Sequence, residues 1–151
     1  MAYAQWVEIN ISPLNFEMTV KNVKLDWGKF YEKGNKDKEI NKSEIEGMTV
    51  DKGQKKVICA CGRSDSPSGT EGSFELYNGD ELIGKYYWDC PWGSKTNTST
   101  WTAKNDKYLT QAELGNLDSG AIGQVTIVSA SINAAKAEGE DVKMLFENAV
   151  I

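Results

Sequence analysis

The chain has 151 residues, a length that suits one domain with one sizeable core. Apolar residues make up 40% and charged residues 26%, an ordinary balance for a soluble globular protein. The net charge is -5 and Arg63 is the single arginine, so the basic stripe a nucleic-acid binder needs to displace counterions is missing. An acidic chain also gains nothing from the field of an anionic bilayer.

Period-two alternation dominates the first half of the chain. Residues 5–11 put Trp6, Glu8 and Asn10 on one side and Val7, Ile9 and Ile11 on the other, which predicts a half-buried strand. Residues 17–27 (EMTVKNVKLDW) place Met18, Val20, Val23 and Leu25 inward. The phase changes across Lys21-Asn22, which predicts a bulge. The charged stretch 33–47 is expected to be a solvated loop. Residues 55–61 (KKVICAC) read as a strand, and 62–72 (GRSDSPSGTEG) as a turn-rich loop. Strands are predicted at 73–78 and 81–90, joined by the NGDE turn at 78–81 as a hairpin. A last strand is predicted at 123–132.

Many short strands without βαβ alternation predict an all-β fold, a single-domain antiparallel sandwich over residues 1–132. The remainder, 133–151, reads as a helical extension. In EDVKMLFENAVI, the residues Val142, Leu145, Phe146, Ala149 and Val150 recur at helical spacing, after a break at Gly139. Such a short C-terminal amphipathic helix either packs on the sandwich or is offered to a partner subunit.

Several chemistries lack their parts. There is no histidine, so Ser-His and Cys-His nucleophile pairs are excluded. Three cysteines without histidine make no closed zinc site, and no metal or cofactor is expected. Cys59 and Cys61 are two apart, hence on one face of a strand and poorly placed to bond each other; they and Cys90 are expected to be buried reduced thiols. WGSKT at 92–96 lacks the glycine spacing of a P-loop. Carboxylate pairs exist, as in any acidic chain, and nothing singles one out for glycoside chemistry. The expectation is a protein that is not an enzyme.

No stretch approaches the roughly 20 apolar residues of a spanning helix. The start, MAYAQWVEINIS, has neither a basic n-region nor an apolar h-region. This predicts synthesis in the cytoplasm without a standard signal peptide and action outside the cell after lysis or an unconventional exit.

What remains is aromatic surface. Tyr86, Tyr87, Trp88 and Trp92 fall within seven residues, followed by Gly-Ser-Lys-Thr-Asn. Five tryptophans and six tyrosines are hard to bury together, because each N–H or O–H wants a partner. At least two tryptophans are therefore expected at the surface, as where one end of a ring is dry and the other wet. Aromatic faces attract a quaternary ammonium, and Lys95 with the Ser94 and Thr96 hydroxyls suits the adjacent phosphate. The pattern predicts a pocket for a zwitterionic phospholipid headgroup. A lectin-like carbohydrate- or protein-binding sandwich would use the same aromatics against sugar rings.

Four stretches together, MAYAQWV at 1–7, ACGRSD at 60–65, YWDCPWGSKTNT at 87–98 and NLDSGAIG at 116–123, resemble the aegerolysin family over roughly residues 1–130. The resemblance implies a small β-sandwich that recognises membrane sphingolipids, either sphingomyelin with cholesterol or ceramide phosphoethanolamine. It also implies a larger perforin-like partner of the MACPF superfamily that inserts the pore, in a cytolytic or insecticidal pair. Carried over by motif, Trp6, Trp27, Trp92, Ser94, Lys95 and Thr96 form the lipid face, with Asp65, Ser68 and Tyr87 from the same segments. Sphingomyelin–cholesterol-binding members can carry a glutamate in the loop after CGRSD. This chain has Ser68 there and Glu71 three residues on. The tail from about Asn133 runs past the usual family end and fits a dimer or partner contact.

Overall fold

The computed structural model describes residues 2–149. A 3-10 turn at Ala2–Ala4 leads into β1 (Trp6–Pro13), followed by β2 (Met18–Trp27), β3 (Lys29–Glu32), β4 (Asn35–Ile40), the short helix α1 (Lys42–Ile45) and β5 (Thr49–Val50). Then come β6 (Lys56–Cys61), β7 (Thr70–Asn78), β8 (Glu81–Cys90), β9 (Thr98–Ala103), β10 (Tyr108–Glu113) and β11 (Gly123–Ser131). Two helices, α2 (Ile132–Ala137) and α3 (Val142–Asn148), complete the described chain.

The strands form two packed sheets. The first has the order β10-β11-β1-β6-β3-β4, the second β5-β2-β7-β8-β9. The expected sandwich is present, with one departure from antiparallel pairing: β1 and β11 run parallel, Val7 opposite Gly123 and Ile11 opposite Ile127. These two strands are joined by more than a hundred intervening residues, so no tight turn constrains their direction.

Alternation decides what enters the core. Val7, Ile9 and Ile11 point inward, as do Tyr86, Trp88 and Cys90 on β8, while Tyr87 and Asp89 point out. The aromatic cluster spans the sheets: Phe30 and Trp88 meet edge to face at 6.1 Å, and Tyr86 stacks beside Trp88 at 6.1 Å. Their polar ends are partnered. The Trp88 indole N–H donates to Thr70 Oγ1 at 3.0 Å, and Tyr86 shares a 2.8 Å hydrogen bond with the Ser99 hydroxyl. Gly72 makes room for this ring, because a Cβ there would sit 2.6 Å from the Trp88 indole.

The predicted bulge is present. Pairing of β2 with β7 shifts between Lys21 and Lys24, and Asn22 adopts φ +53°. The Glu46 carboxylate fills the notch, accepting from the Asn22 and Val23 amides at 3.0 and 2.8 Å. The hairpin at 78–81 is also present, turning on Gly79.

Residues 33–47 correct the expectation of a solvated loop. They contain edge strand β4 and helix α1, which has a capping box between Asn41 and Glu44. Their charge is what an exposed edge strand carries to discourage further pairing. The three thiols are free and buried, as expected, and Cys59 and Cys61 share the outer face of the first sheet with Tyr31. Burial pushes Cys59 up to about 12 and Cys61 up to about 11.

The C-terminal region forms two helices rather than one, separated around Gly139 at φ +67°. α3 starts on Asp141, whose carboxylate accepts from the Lys143 amide at 2.9 Å. Phe146 is buried beside Gln111 and Val128, so α3 packs on the sandwich, the first of the two alternatives. Val150, the last residue of the predicted apolar stripe, lies outside the described residues.

Candidate functional site

Strand register collects one set of loops at one end of the sandwich. Trp27 pairs with Glu71, Glu71 with Asp89, and Asp89 with Thr98, so the end of β2, the start of β7, the end of β8 and the start of β9 lie in one row. The 62–69 loop enters this row and the 91–97 loop leaves it. Between them is a cleft of about 590 Å³, walled by Trp27 on one side and Trp92 on the other.

The two tryptophans are open to solvent, 59% and 44% exposed. Trp27 is the last residue of β2, ahead of the turn at Gly28, and Trp92 follows Pro91 out of β8. Neither is drawn into the core: a register shift between Leu25 and Trp27 turns Trp27 out opposite Glu71, and Trp92 lies beyond Cys90, where β8 ends. The loops themselves are held tightly. A Cβ on Gly69 would lie 1.8 Å from the Cys90 carbonyl oxygen, so the 62–69 loop packs against the end of β8 only because this residue has no side chain.

The floor is acidic. Glu71 and Asp89 face outward directly across the β7–β8 pair, a like-charge arrangement that costs stability. The Tyr87 hydroxyl donates to Glu71. Burial raises the Asp89 carboxyl above its usual range, the neighbouring Glu71 charge adds to the rise, and Lys95 opposes it. Burial and the hydrogen bond to Glu71 push the Tyr87 hydroxyl up in turn. Lys95 and Ser94 line the opposite lip, exposed. The cleft thus offers aromatic faces and carboxylates for a cation, with a lysine and a hydroxyl close by for an anion. Among the described residues no three carboxylate, thiol or imidazole groups gather as metal ligands would.

The sequence matches the aegerolysin family model over residues 4–131. The chain belongs to the aegerolysin family. It is 47% identical to ostreolysin A6 of Pleurotus ostreatus over 131 residues, covering 84% of this chain and 95% of that protein. It is 42% identical to Asp-hemolysin of Aspergillus fumigatus over 128 residues, covering 83% and 92%. Among solved structures, IP-1A from Alcaligenes faecalis superimposes with a TM-score of 0.81 at 44% identity, covering 86% of this chain and 93% of that one.

The aegerolysin motifs converge in part. Trp27, Ser68, Trp92, Ser94 and Lys95 line the cleft together. Tyr87 lies under it through Glu71. Thr96 is exposed on the same loop as Trp92 but is not a lining residue, and Asp65 is exposed on the 62–69 loop, also off the lining. Trp6 stands apart from the cleft, on the outer face of the first sheet, half-buried with the Lys36 ammonium 5.1 Å from its ring. Glu71, three residues after Ser68, shares the cleft with it.

Sequence reasoning missed Asp89. Its signal was the alternation of β8, which turns every second residue from Lys85 outward and so sets Asp89 beside Tyr87. Its pairing with Glu71 needed the register of the hairpin.

Proposed function

We propose that this aegerolysin is a membrane-lipid-binding, toxin-related protein whose cleft receives a zwitterionic sphingolipid headgroup, and that it recruits a larger MACPF-like partner to form the pore. The observation that carries this reading is the cleft itself. Trp27 and Trp92 flank a floor of Glu71 and Asp89, with Lys95 and Ser94 at the lip. A headgroup ammonium between the rings and the carboxylates would gain cation–π attraction and relieve the repulsion of the acidic pair. The adjacent phosphate would then reach Lys95 and Ser94. Both charges of a neutral headgroup are answered without a basic patch, which fits a chain of net charge -5. The name of one relative, Asp-hemolysin, supports a lytic context.

The same structure supports a division of labour with a partner. Among the described residues no helix is long and apolar enough to cross a membrane. The strands are committed to a single core, so building a transmembrane barrel from them would mean unfolding the domain, at a cost of about 5–15 kcal/mol. Interfacial docking through exposed tryptophans needs no such rearrangement.

The test is pelleting with phosphatidylcholine vesicles that contain sphingomyelin or ceramide phosphoethanolamine, each with and without cholesterol, beside a glycan panel. Binding to a sphingolipid vesicle without dye release is the expected outcome. Glycan binding without vesicle binding would support a lectin-like sandwich instead, and complete dye release by this chain alone would remove the need for a partner.

A further inference from the structure

Trp27 and Trp92 are not the only large apolar side chains left in water. Among the described residues Leu117 (49% exposed), Leu109 and Met144 join them. Their positions differ. Leu109 is on β10 opposite Ala130, near the end of the sandwich remote from the cleft, and Met144 is on α3, which packs on the outside of the first sheet beside Leu109 and Gln111. Leu117 is in the 114–122 loop between β10 and β11. That loop ends at Gly123, opposite Val7, where β1 begins and the cleft end of the sandwich starts.

Hydrogen bonds tie this loop to the one that carries Trp92. The Asn97 amide donates to the carbonyls of Leu117 and Asp118, both at 3.1 Å. Its side-chain NH2 donates to the carbonyls of Asn116 and Gly120, both at 3.0 Å. The Cys90 thiol, at the base of the Trp92 loop, donates to the Gly120 carbonyl at 3.2 Å. Asn97 is itself buried, so the two loops form one body.

The backbone carbonyls of residues 116–122 all accept hydrogen bonds. The Asn116 side chain donates to the Ser119 and Ala121 carbonyls and accepts from the Asp118 amide, and its backbone amide donates to Ile122. A loop whose carbonyls are already partnered by the protein approaches a water-poor layer at less cost than one whose carbonyls depend on water. Among the described residues nothing covers the exposed half of Leu117, and its loop is continuous with the proposed lipid site.

We infer that the 114–122 loop is a second membrane anchor, with Leu117 entering the interfacial layer of a zwitterionic bilayer beside Trp92; this rests on the lipid-binding reading of the cleft. The cleft then selects the headgroup and Leu117 adds depth that is indifferent to headgroup identity. The chain stands on the bilayer on its cleft end, with Leu109 and Met144 held away from it.

The three native thiols are buried, so a single surface cysteine can be labelled. Leu117→Cys and Leu109→Cys, each carrying an environment-sensitive fluorophore, are mixed with whichever vesicle the unlabelled protein binds best among phosphatidylcholine vesicles with sphingomyelin or ceramide phosphoethanolamine, with and without cholesterol. A blue shift at position 117 with none at 109 is expected. Leu117→Asp should weaken vesicle binding on the order of tenfold with an unchanged melting temperature, since about half a leucine surface is at stake. If the unlabelled protein binds and the probe at 117 stays in water, the anchor is overturned while the lipid reading stands. If the unlabelled protein binds no vesicle in the panel, both are overturned.

Discussion

Trp88 and Trp92 are four residues apart in one motif, and they do opposite things. Trp88 follows the inward phase of β8, is fully buried, meets Phe30 of the other sheet and donates to Thr70. Trp92 lies past Pro91, where the strand has ended, and nearly half of its surface is in water. The difference teaches that the dense aromatic motif is two devices laid end to end. The first half holds the sheets together at the point where the second half must be rigid. Asp89, between them, belongs to the site and is positioned by the core.

The largest effect should come from breaking the structural half. Trp88→Ala would empty a fully buried indole site and leave Thr70 without its donor. The expected cost is about 3–5 kcal/mol, read as a fall in melting temperature of roughly 10 °C or more. Trp92→Ala should do the reverse. Vesicle binding falls by about tenfold, roughly 1.4 kcal/mol, with the melting temperature unmoved. If the two variants gave the same pattern, the division between core and site would be lost.

Lys95→Ala sharpens the same comparison on the site side. One exposed lysine facing one phosphate should contribute only roughly two- to fivefold in binding, with a shallow salt dependence. A steep dependence would mean many cationic contacts and a different ligand. Titration gives the smallest effect. A carboxyl raised in the folded protein above its unfolded value, as Asp89 is, stabilises the fold when it takes up a proton. Its contribution to stability therefore rises as pH falls through the raised value, reaching its full extent below the unfolded one. Vesicle binding should move the other way, weakening as pH falls from about 7 to about 4 and the carboxylate that faces the ammonium is neutralised. Asp89→Asn should flatten that part of the binding profile, measured by pelleting across the same range.

Most of the strands legible in the sequence have one buried and one open face; β6, buried on both, was legible as a short apolar run. β1, β2 with its bulge, the β7–β8 hairpin and β11 all alternate plainly. The unread ones have weak or inverted patterns for physical reasons. β3 is four residues long and buries Lys29, whose ammonium donates to the Tyr3 hydroxyl at 2.7 Å. β4 is an edge strand of mostly charged residues, and β5 is only two residues. β9 and β10 carry threonine and glutamine where an isolated strand pattern would show larger apolar side chains. In the site, Trp27, Ser68, Trp92, Ser94 and Lys95 were named from motifs, and the fold assembles them. Asp89 and its partnership with Glu71 depend on which strands lie side by side, and a single chain does not display that.

The parallel pairing of β1 and β11 decides where the chain leaves the domain. Because β11 runs alongside β1, it ends at Ser131 near Pro13, at the opposite pole from the cleft, and α2 and α3 continue from there. A label at the β11–α2 junction, around Ser131, would thus sit away from a surface that the cleft faces. The fold in that sense has a recognition pole and a handling pole.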